Sequence, residues 1–138
     1  MTKGYHLPNI NTPTLDDEQF NLKDYKNKYV LLDFWGTWCA PCVKSIPELT
    51  EIHSQFDDED FVIISIAVDS DKEKVRKFIR KHNMNWIHLF EKRGSSSLTK
   101  KLNITGYPTT ILLDKEGKII ARKVDLETIR NILENKID

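Results

Sequence analysis

The chain has 138 residues, of which 39% are hydrophobic and 30% are charged, the proportions of an ordinary soluble globular protein. Its 21 basic and 21 acidic residues cancel, so the net charge gives no argument for a nucleic-acid partner or an anionic membrane surface. No apolar run approaches the roughly 18 residues of a membrane span, and the first five residues lack the apolar core of a signal peptide. We therefore expect one domain over residues 1–138.

The first 22 residues are predicted to form an N-terminal extension of the core fold. Short apolar positions between residues 5 and 21 alternate with turn formers such as Pro8 and Pro13, which predicts two short strands joined by a turn, a β-hairpin. Asn21 can cap a brief helical turn over residues 22–25.

The next two predicted elements are a buried strand and an amphipathic helix. Residues 29–35 form a short, mostly apolar run, which is typical of a buried strand. Beyond it, apolar residues recur every three or four positions up to about Phe56, which predicts a helix. Pro47 lies inside this pattern and predicts a kink, because the apolar period continues past it.

The only two cysteines of the chain, Cys39 and Cys42, lie where this strand gives way to the helix. A disulfide that closes so short a loop adds only about a kcal/mol or two of stability, but its second thiol is always placed to resolve a mixed disulfide formed by the first. The N-terminus of a helix favours an anion and can lower a cysteine pKa from about 8.5 to about 7. We predict Cys39 as the nucleophile at the open helix end and Cys42 as the shielded resolving thiol.

The rest of the chain predicts further alternation of strands and helices. We expect a central strand at residues 61–68, a helix capped by Asp71, a strand at 86–90, a short helix around 98–102, a hairpin of 109–114 with 118–124, and a final helix at 126–137. The strand-helix-strand order at the start of this series predicts parallel pairing.

Two charged stretches each have a functional and a plain interpretation. The acidic residues 57–60 could be a partner patch or a solvated turn. The basic outer face of the helix that follows Asp71 could dock an acidic partner or be a solvated helix face. The sequence alone favours the solvated interpretation for both.

Two distant motifs resemble those of the thioredoxin superfamily. Asp33-Phe34-Trp35-Gly36-Thr37-Trp38-Cys39-Ala40-Pro41-Cys42 with Pro47 resembles its active site, and Gly106-Tyr107-Pro108-Thr109-Thr110, about 65 residues further on, resembles its cis-proline loop. The chain looks most like the extracytoplasmic thiol-disulfide oxidoreductases of the TlpA and ResA type. The resemblance implies an α/β thioredoxin-like fold, a central mixed sheet flanked by helices, with the extra strand and helix before the cis-proline strand matching an insertion of that branch.

Asp33 is a carboxylate in the middle of an apolar strand, which is costly to bury unless its pKa rises. A raised pKa suits a proton acceptor for Cys42, the role that the resemblance implies, although a strand-end aspartate exposed to solvent is the alternative. ResA-type reductases often carry a glutamate three residues after the second cysteine, where this chain has Ser45. The base is therefore expected to be Asp33 or water.

The resemblance also implies substrate-binding and framework residues. A cis peptide before Pro108 would present the backbone of Tyr107 to a substrate strand beside Cys39. Trp38 and Trp35 could each line the site or pack in the core, and Trp38, next to the nucleophile, is the better candidate for substrate contact. The resemblance makes Ala40, Pro41 and Pro47 the framework of the active site.

The implied activity is thiol-disulfide exchange with protein disulfides, in the reducing direction, by an enzyme recycled by an upstream thiol electron donor. No cofactor is expected beyond the redox-active Cys39–Cys42 disulfide. We expect a monomer in an extracytoplasmic or periplasmic location, with any membrane attachment through an anchor outside these residues. The alternative is a cytoplasmic protein, since a lone reactive pair suits either compartment.

Two rival functions fit the motifs less well. A peroxiredoxin-like thiol peroxidase would carry threonine three residues and proline seven residues before the reactive cysteine, where this chain has Gly36 and Leu32. A metal-binding module could combine both cysteines with His82 and His88, but their spacing suits structural zinc poorly.

Overall fold

A single mixed sheet lies at the centre of the fold. The structure, a computed structural model, describes residues 4–95 and 97–137. In these ranges the strands are β1 (Tyr29–Trp35), β2 (Phe61–Asp69), β3 (Ile87–Lys92), β4 (Thr109–Leu113) and β5 (Ile119–Arg122). Their order across the sheet is β3-β2-β1-β4-β5. β1, β2 and β3 run parallel, whereas β4 is antiparallel to β1 and β5 to β4, which confirms the predicted mixed sheet.

The helices lie where the apolar periodicity predicted them. They are α1 (Ala40–Lys44), α2 (Ile46–Gln55), α3 (Lys72–Lys81), α4 (Ser97–Lys101) and α5 (Leu126–Lys136). Asn21 caps a 3-10 turn over Leu22–Tyr25, and Asp71 and Asp125 cap α3 and α5 by accepting backbone N–H groups. None of the helices in the described ranges has the length and apolar character needed to cross a bilayer.

The kinked helix predicted up to about Phe56 is divided into α1 and α2 at Ser45. The break lies two residues before Pro47, which has no N–H to donate to the preceding turn and whose ring restricts the residue before it. Ser45 fills the gap, because its side-chain hydroxyl donates to the carbonyl of Cys42 at 2.8 Å. The two cysteines therefore sit on a short helix of their own.

β1 divides the core into two sides because successive side chains point to opposite faces. Leu32 and Phe34 are buried with apolar residues of the N-terminal segment and of the region after α4. Leu31 and Trp35 lie on the other face, which α1, α2, α3 and α5 cover. Asp33 shares this second face, which is why the fold buries its carboxylate beneath the helices.

The N-terminal segment differs from the predicted β-hairpin. Residues 5–21 contain no strand, and they make three isolated antiparallel bridges, namely His6 with Lys118, Asn11 with Asn21, and Thr14 with Leu89. The chain does reverse, because Asn11 pairs with Asn21, but the prolines at positions 8 and 13 lack the N–H groups that a ladder needs. Its apolar side chains Leu7, Ile10 and Phe20 are instead buried against the sheet.

Candidate active site

Cys39 and Cys42 are joined by a disulfide at the beginning of α1, with their Cα atoms 5.3 Å apart. Cys39 is the N-cap residue, in extended conformation, and Cys42 lies within the first turn. The backbone N–H of Cys42 donates to Cys39 Sγ at 3.3 Å. A sulfur at this position therefore receives an N–H group that would otherwise lack a partner at the helix start.

Both cysteines are less accessible than an open helix tip would allow. Cys39 is 5% exposed and Cys42 2%, and both belong to an apolar cluster that includes Ile46. Cys39 lies at the helix end as predicted, but it is buried there and not exposed. It is nevertheless slightly more accessible than Cys42. The reason for the burial is packing within this cluster, which also includes Trp35 and Ala67 and against which Tyr107 packs.

Three hydrogen bonds hold the loop before α1, residues 36–38, against β2. The backbone N–H and the hydroxyl of Thr37 both donate to Asp69 Oδ2, at 2.8 and 2.7 Å. The indole Nε1–H of Trp38 donates to the Val68 carbonyl at 2.8 Å. Gly36 is required at the turn because a Cβ there would lie 2.6 Å from Trp38 Cε2 and 2.8 Å from the Val68 oxygen. Sequence reasoning missed Asp69, whose only signal is an aspartate at the end of an apolar strand.

The cis-proline motif, residues 106–110, lies beside the cysteine pair in the fold. The peptide between Tyr107 and Pro108 is cis, as predicted. The Tyr107 ring meets the Trp38 ring edge-on, with centroids 5.3 Å apart, and it packs against the apolar cluster that holds the cysteines. Burial raises the pKa of Tyr107, the nearby Glu91 carboxylate adds to the rise, and the Arg93 charge opposes it. The fold thus joins two motifs that are far apart in the sequence.

Asp33 is buried, with 3% of its surface exposed, which excludes the alternative of a solvent-exposed aspartate. Burial raises its pKa to about 6, and a hydrogen bond from Ser65 partly offsets that rise. Ser65 Oγ donates to Asp33 Oδ2 at 2.9 Å, and Trp86 Nε1–H donates to Ser65 Oγ at 2.8 Å. The carboxylate therefore has one fixed oxygen and a pKa close to neutrality.

Asp33 lines a cavity of about 620 Å³ together with the cis-proline loop. Its lining includes Ser45 and Glu48 of the α1–α2 region, residues 105–110 and Lys123. Ser45 stands where ResA-type reductases often carry a glutamate, and its hydroxyl already donates to the Cys42 carbonyl. The carboxylates that line this cavity are those of Asp33, Glu48 and Asp125.

The remaining predicted site residues separate into surface and core. Trp38 is 38% exposed, whereas Trp35 is 1% exposed and packs on Phe78 with ring centroids 5.6 Å apart, so Trp35 is a core residue. Ala40 and Pro41 are exposed at the start of α1, beside Cys39. Pro47 is exposed in the first turn of α2, five residues after Cys42.

The two histidines considered as metal ligands have other surroundings. His88 is buried, and its Nε2–H donates to the Met84 carbonyl at 2.7 Å. His82 lies against the Phe78 ring, with centroids 4.2 Å apart. Residues 4–95 and 97–137 contain no group of three or more His, Cys, Asp or Glu side chains that could hold a metal ion.

Comparisons with known proteins agree with this geometry. The family model described as Redoxin matches residues 2–137. The chain is 32% identical over 120 residues to the thiol-disulfide oxidoreductase ResA of Bacillus thuringiensis subsp. konkukian, covering 87% of this chain and 68% of that protein. It is 31% identical over 141 residues to the thioredoxin-like protein YneN of Bacillus subtilis, covering 100% of this chain and 80% of that protein.

A solved structure matches the whole fold. The thioredoxin domain of the thiol-disulfide oxidoreductase BVU-2223 from Bacteroides vulgatus superposes with a TM-score of 0.90 at 29% identity, covering 100% of this chain and 99% of that one. These likenesses, together with the Cys39–Cys42 pair, confirm the predicted class of thiol-disulfide oxidoreductase. The chain belongs to the redoxin family, as a ResA-like member of the thioredoxin superfamily.

Proposed function

We propose that this protein reduces disulfide bonds in other polypeptides, with Cys39 as the attacking thiol and Cys42 as the resolving thiol. Cys39 thiolate attacks one sulfur of the substrate disulfide, whose S–S bond breaks as the other substrate sulfur leaves as a thiolate. Cys42 then attacks Cys39 Sγ and releases the second substrate thiol. The substrate gains two electrons, and the enzyme ends with the Cys39–Cys42 disulfide, which an upstream thiol donor reduces.

The observation that carries this proposal is the position of the two sulfurs at the start of α1. Cys39 Sγ already accepts the Cys42 N–H, so a thiolate at Cys39 would be stabilised by a backbone donor and by the helix N-terminus. Cys42 lies deeper and has no such donor to its sulfur among the described residues. The asymmetry supports Cys39 as the nucleophile and Cys42 as the group that needs a base.

Asp33 is the base that this scheme assigns to Cys42. With a pKa of about 6, its carboxylate is largely ionised near neutral pH yet close enough to neutrality to take up a proton. Its second oxygen is left open by the Ser65 hydrogen bond, which involves Oδ2 alone. The cavity of about 620 Å³ that Asp33 lines has room for water that would exchange the proton of Asp33 with solvent.

The substrate would bind along the cis-proline loop. Within residues 4–95 and 97–137 the backbone N–H and C=O of Tyr107 make no hydrogen bond, so both are available to an extended substrate segment. β4 begins two residues later and pairs with β1, so a segment at Tyr107 would extend the backbone pairing beside Trp38. This arrangement suits an unfolded or extended region of a substrate protein.

The resemblance to ResA supports the proposed direction of exchange and location. We assign the reducing direction, an upstream thiol donor, an extracytoplasmic location and a monomeric state to this chain. Residues 1–138 would act as one domain, with Ala40 and Pro41 setting the potential between the two cysteines, since about 30 mV corresponds to about 1.4 kcal/mol for such a couple.

Two cysteine variants test the assignment of roles. We expect Cys42→Ser to accumulate a mixed disulfide with a reducible substrate protein, visible as a higher-mass band on non-reducing gels, and Cys39→Ser to form none. Equal trapping by both variants would contradict the assignment. Titration of the wild-type couple against glutathione tests the direction, because a potential near about −270 mV indicates a reductant and one near about −120 mV an oxidant.

A further inference from the structure

The segment that contains β3 and α4 is basic, although the chain as a whole is neutral. Residues 87–102 carry one acidic residue, Glu91, and four basic ones, Lys92, Arg93, Lys100 and Lys101, all four of them exposed. Glu91 is buried, and its carboxylate accepts the backbone N–H groups of Leu98 and Thr99 at the start of α4. This segment therefore presents an excess of positive charge to solvent.

Arg93 places one of these charges at the active site. Its guanidinium carbon lies 3.8 Å from the centre of the Trp38 ring, the geometry of a cation–π contact. Its backbone N–H donates to the Asp69 carbonyl at 2.8 Å, so the residue is tied to the same strand end that holds the loop before Cys39. Burial raises the pKa of Tyr107 in the cis-proline loop, and the Arg93 charge partly opposes that rise.

The basic face of α3 gives a useful contrast. Arg76 pairs with Asp16 at 3.3 Å and with Glu73 at 3.2 Å, and Lys72 lies 3.6 Å from Asp17. Lys72 and Arg76 of this helix are therefore paired with acidic residues of the chain itself. Arg93 makes no ion pair with any residue in the ranges 4–95 and 97–137, and a guanidinium that stacks on a ring keeps the N–H groups at its edge free.

Building on the proposed function, we infer that Arg93 is a specificity-determining residue that binds a carboxylate of the substrate polypeptide. The preferred substrate is a disulfide with aspartate or glutamate beside the cysteine that Cys39 attacks. A guanidinium held over the Trp38 ring can offer two parallel N–H groups to such a carboxylate while the substrate cysteine reaches the neighbouring Cys39. The exposed lysines of the same segment lack this geometry, because an ammonium group is a point charge without a planar fork of donors.

Two cystine peptides that differ only in having glutamate or glutamine on both sides of the cysteine provide the test. For the wild-type enzyme we expect kcat/KM about fivefold higher with the glutamate peptide, near the upper end of what an exposed ion pair gives. Arg93→Gln should bring this ratio to about one. Lys101→Gln, a variant with the same charge change on exposed α4, should keep the ratio. A ratio of one in the wild-type enzyme, or an equal loss in both variants, would overturn the inference.

A binding measurement separates this inference from the proposed function. Peptides with serine in place of cysteine cannot undergo exchange, and their binding can be followed by the NMR signal of the Trp38 indole N–H. We expect tighter binding of the glutamate peptide to the wild-type protein and to Lys101→Gln, and equal binding of both peptides to Arg93→Gln. Absence of any exchange with cystine peptides would refute the proposed function, whereas equal wild-type affinity for the two serine peptides would refute the role of Arg93.

Discussion

Replacing the buried carboxylate of Asp33 with an amide should make the protein more stable at neutral pH. The pKa of Asp33 is about 6 in the fold, against an ordinary value of 3.8, because burial disfavours the ionised form. At about 1.36 kcal/mol per pH unit, keeping Asp33 ionised in the folded state costs about 3 kcal/mol above pH 6. An asparagine side chain would retain an oxygen to accept the Ser65 hydroxyl without carrying the charge, so Asp33→Asn should recover most of that free energy.

The sign of the pH dependence makes this prediction specific. A carboxyl group with a raised folded pKa contributes its stability below pH 3.8 and loses it as the pH rises through about 6. The gain from Asp33→Asn should therefore be about 3 kcal/mol at pH 7.5 and less than about 1 kcal/mol at pH 4. Urea denaturation of the oxidised protein at both pH values measures it.

A second aspartate supplies the control for this measurement. Asp58 is exposed in the loop before β2, so Asp58→Asn removes the same charge and should change the free energy of unfolding by no more than about 0.5 kcal/mol. An equal gain at pH 7.5 and pH 4 for Asp33→Asn, or a loss of stability at pH 7.5, would refute the assignment of a raised pKa. The same variant should slow resolution by Cys42, which stopped-flow measurement of mixed-disulfide decay would detect.

Two further substitutions test packing and burial. Gly36→Ala should displace the Trp38 indole from the Val68 carbonyl and cost about 1–3 kcal/mol of stability, and the NMR signal of the indole N–H should shift. Gly106→Ala is the control, because its Cβ would meet no atom within 4 Å and should leave the indole signal unchanged. His88→Gln should keep a donor for the Met84 carbonyl, and it should abolish the loss of stability that protonation of the buried His88 causes as the pH falls from 6.5 to 4. Relative to the wild-type protein the variant should therefore gain stability over that interval, which urea midpoints at those two pH values would measure.

The sequence predicted the elements whose signals are local. The apolar runs of β1 and β2, the caps at Asn21 and Asp71 and the kink before Pro47 depend on neighbouring residues, and the structure confirms them. The N-terminal hairpin failed because its alternating apolar residues also suit a segment that packs against an existing sheet. Only tertiary contacts decide between these two outcomes.

The site was predictable where a motif names the residues, as for the cysteine pair and the Tyr107–Pro108 peptide. Its supporting contacts were not, because they depend on the pairing of strands that are distant in the sequence. Ser65 supports Asp33 because β1 and β2 pair with these two residues opposite each other. Asp69 meets Thr37 for the same reason, and Arg93 reaches Trp38 because β3 ends beside β2. Each contact joins residues about 30 or more positions apart, and no local pattern marks them.

Strand register also places two buried titratable groups on the same face of the sheet, with opposite effects on stability. Asp33 pairs with Ser65, and Ser65 pairs with His88. Burial lowers the pKa of His88 from 6.5 to about 4. The stability that neutral His88 contributes is therefore complete above pH 6.5 and is lost as the pH falls toward 4. The stability that protonated Asp33 contributes changes in the opposite way, because it is gained as the pH falls below about 6. Each change is about 3 kcal/mol, so the two should nearly cancel in the wild-type protein. As the pH falls from 6.5 to 4, Asp33→Asn should therefore lose stability relative to the wild-type protein, and His88→Gln should gain stability relative to it. A change of the same sign in both variants would show that the two groups do not titrate in this way.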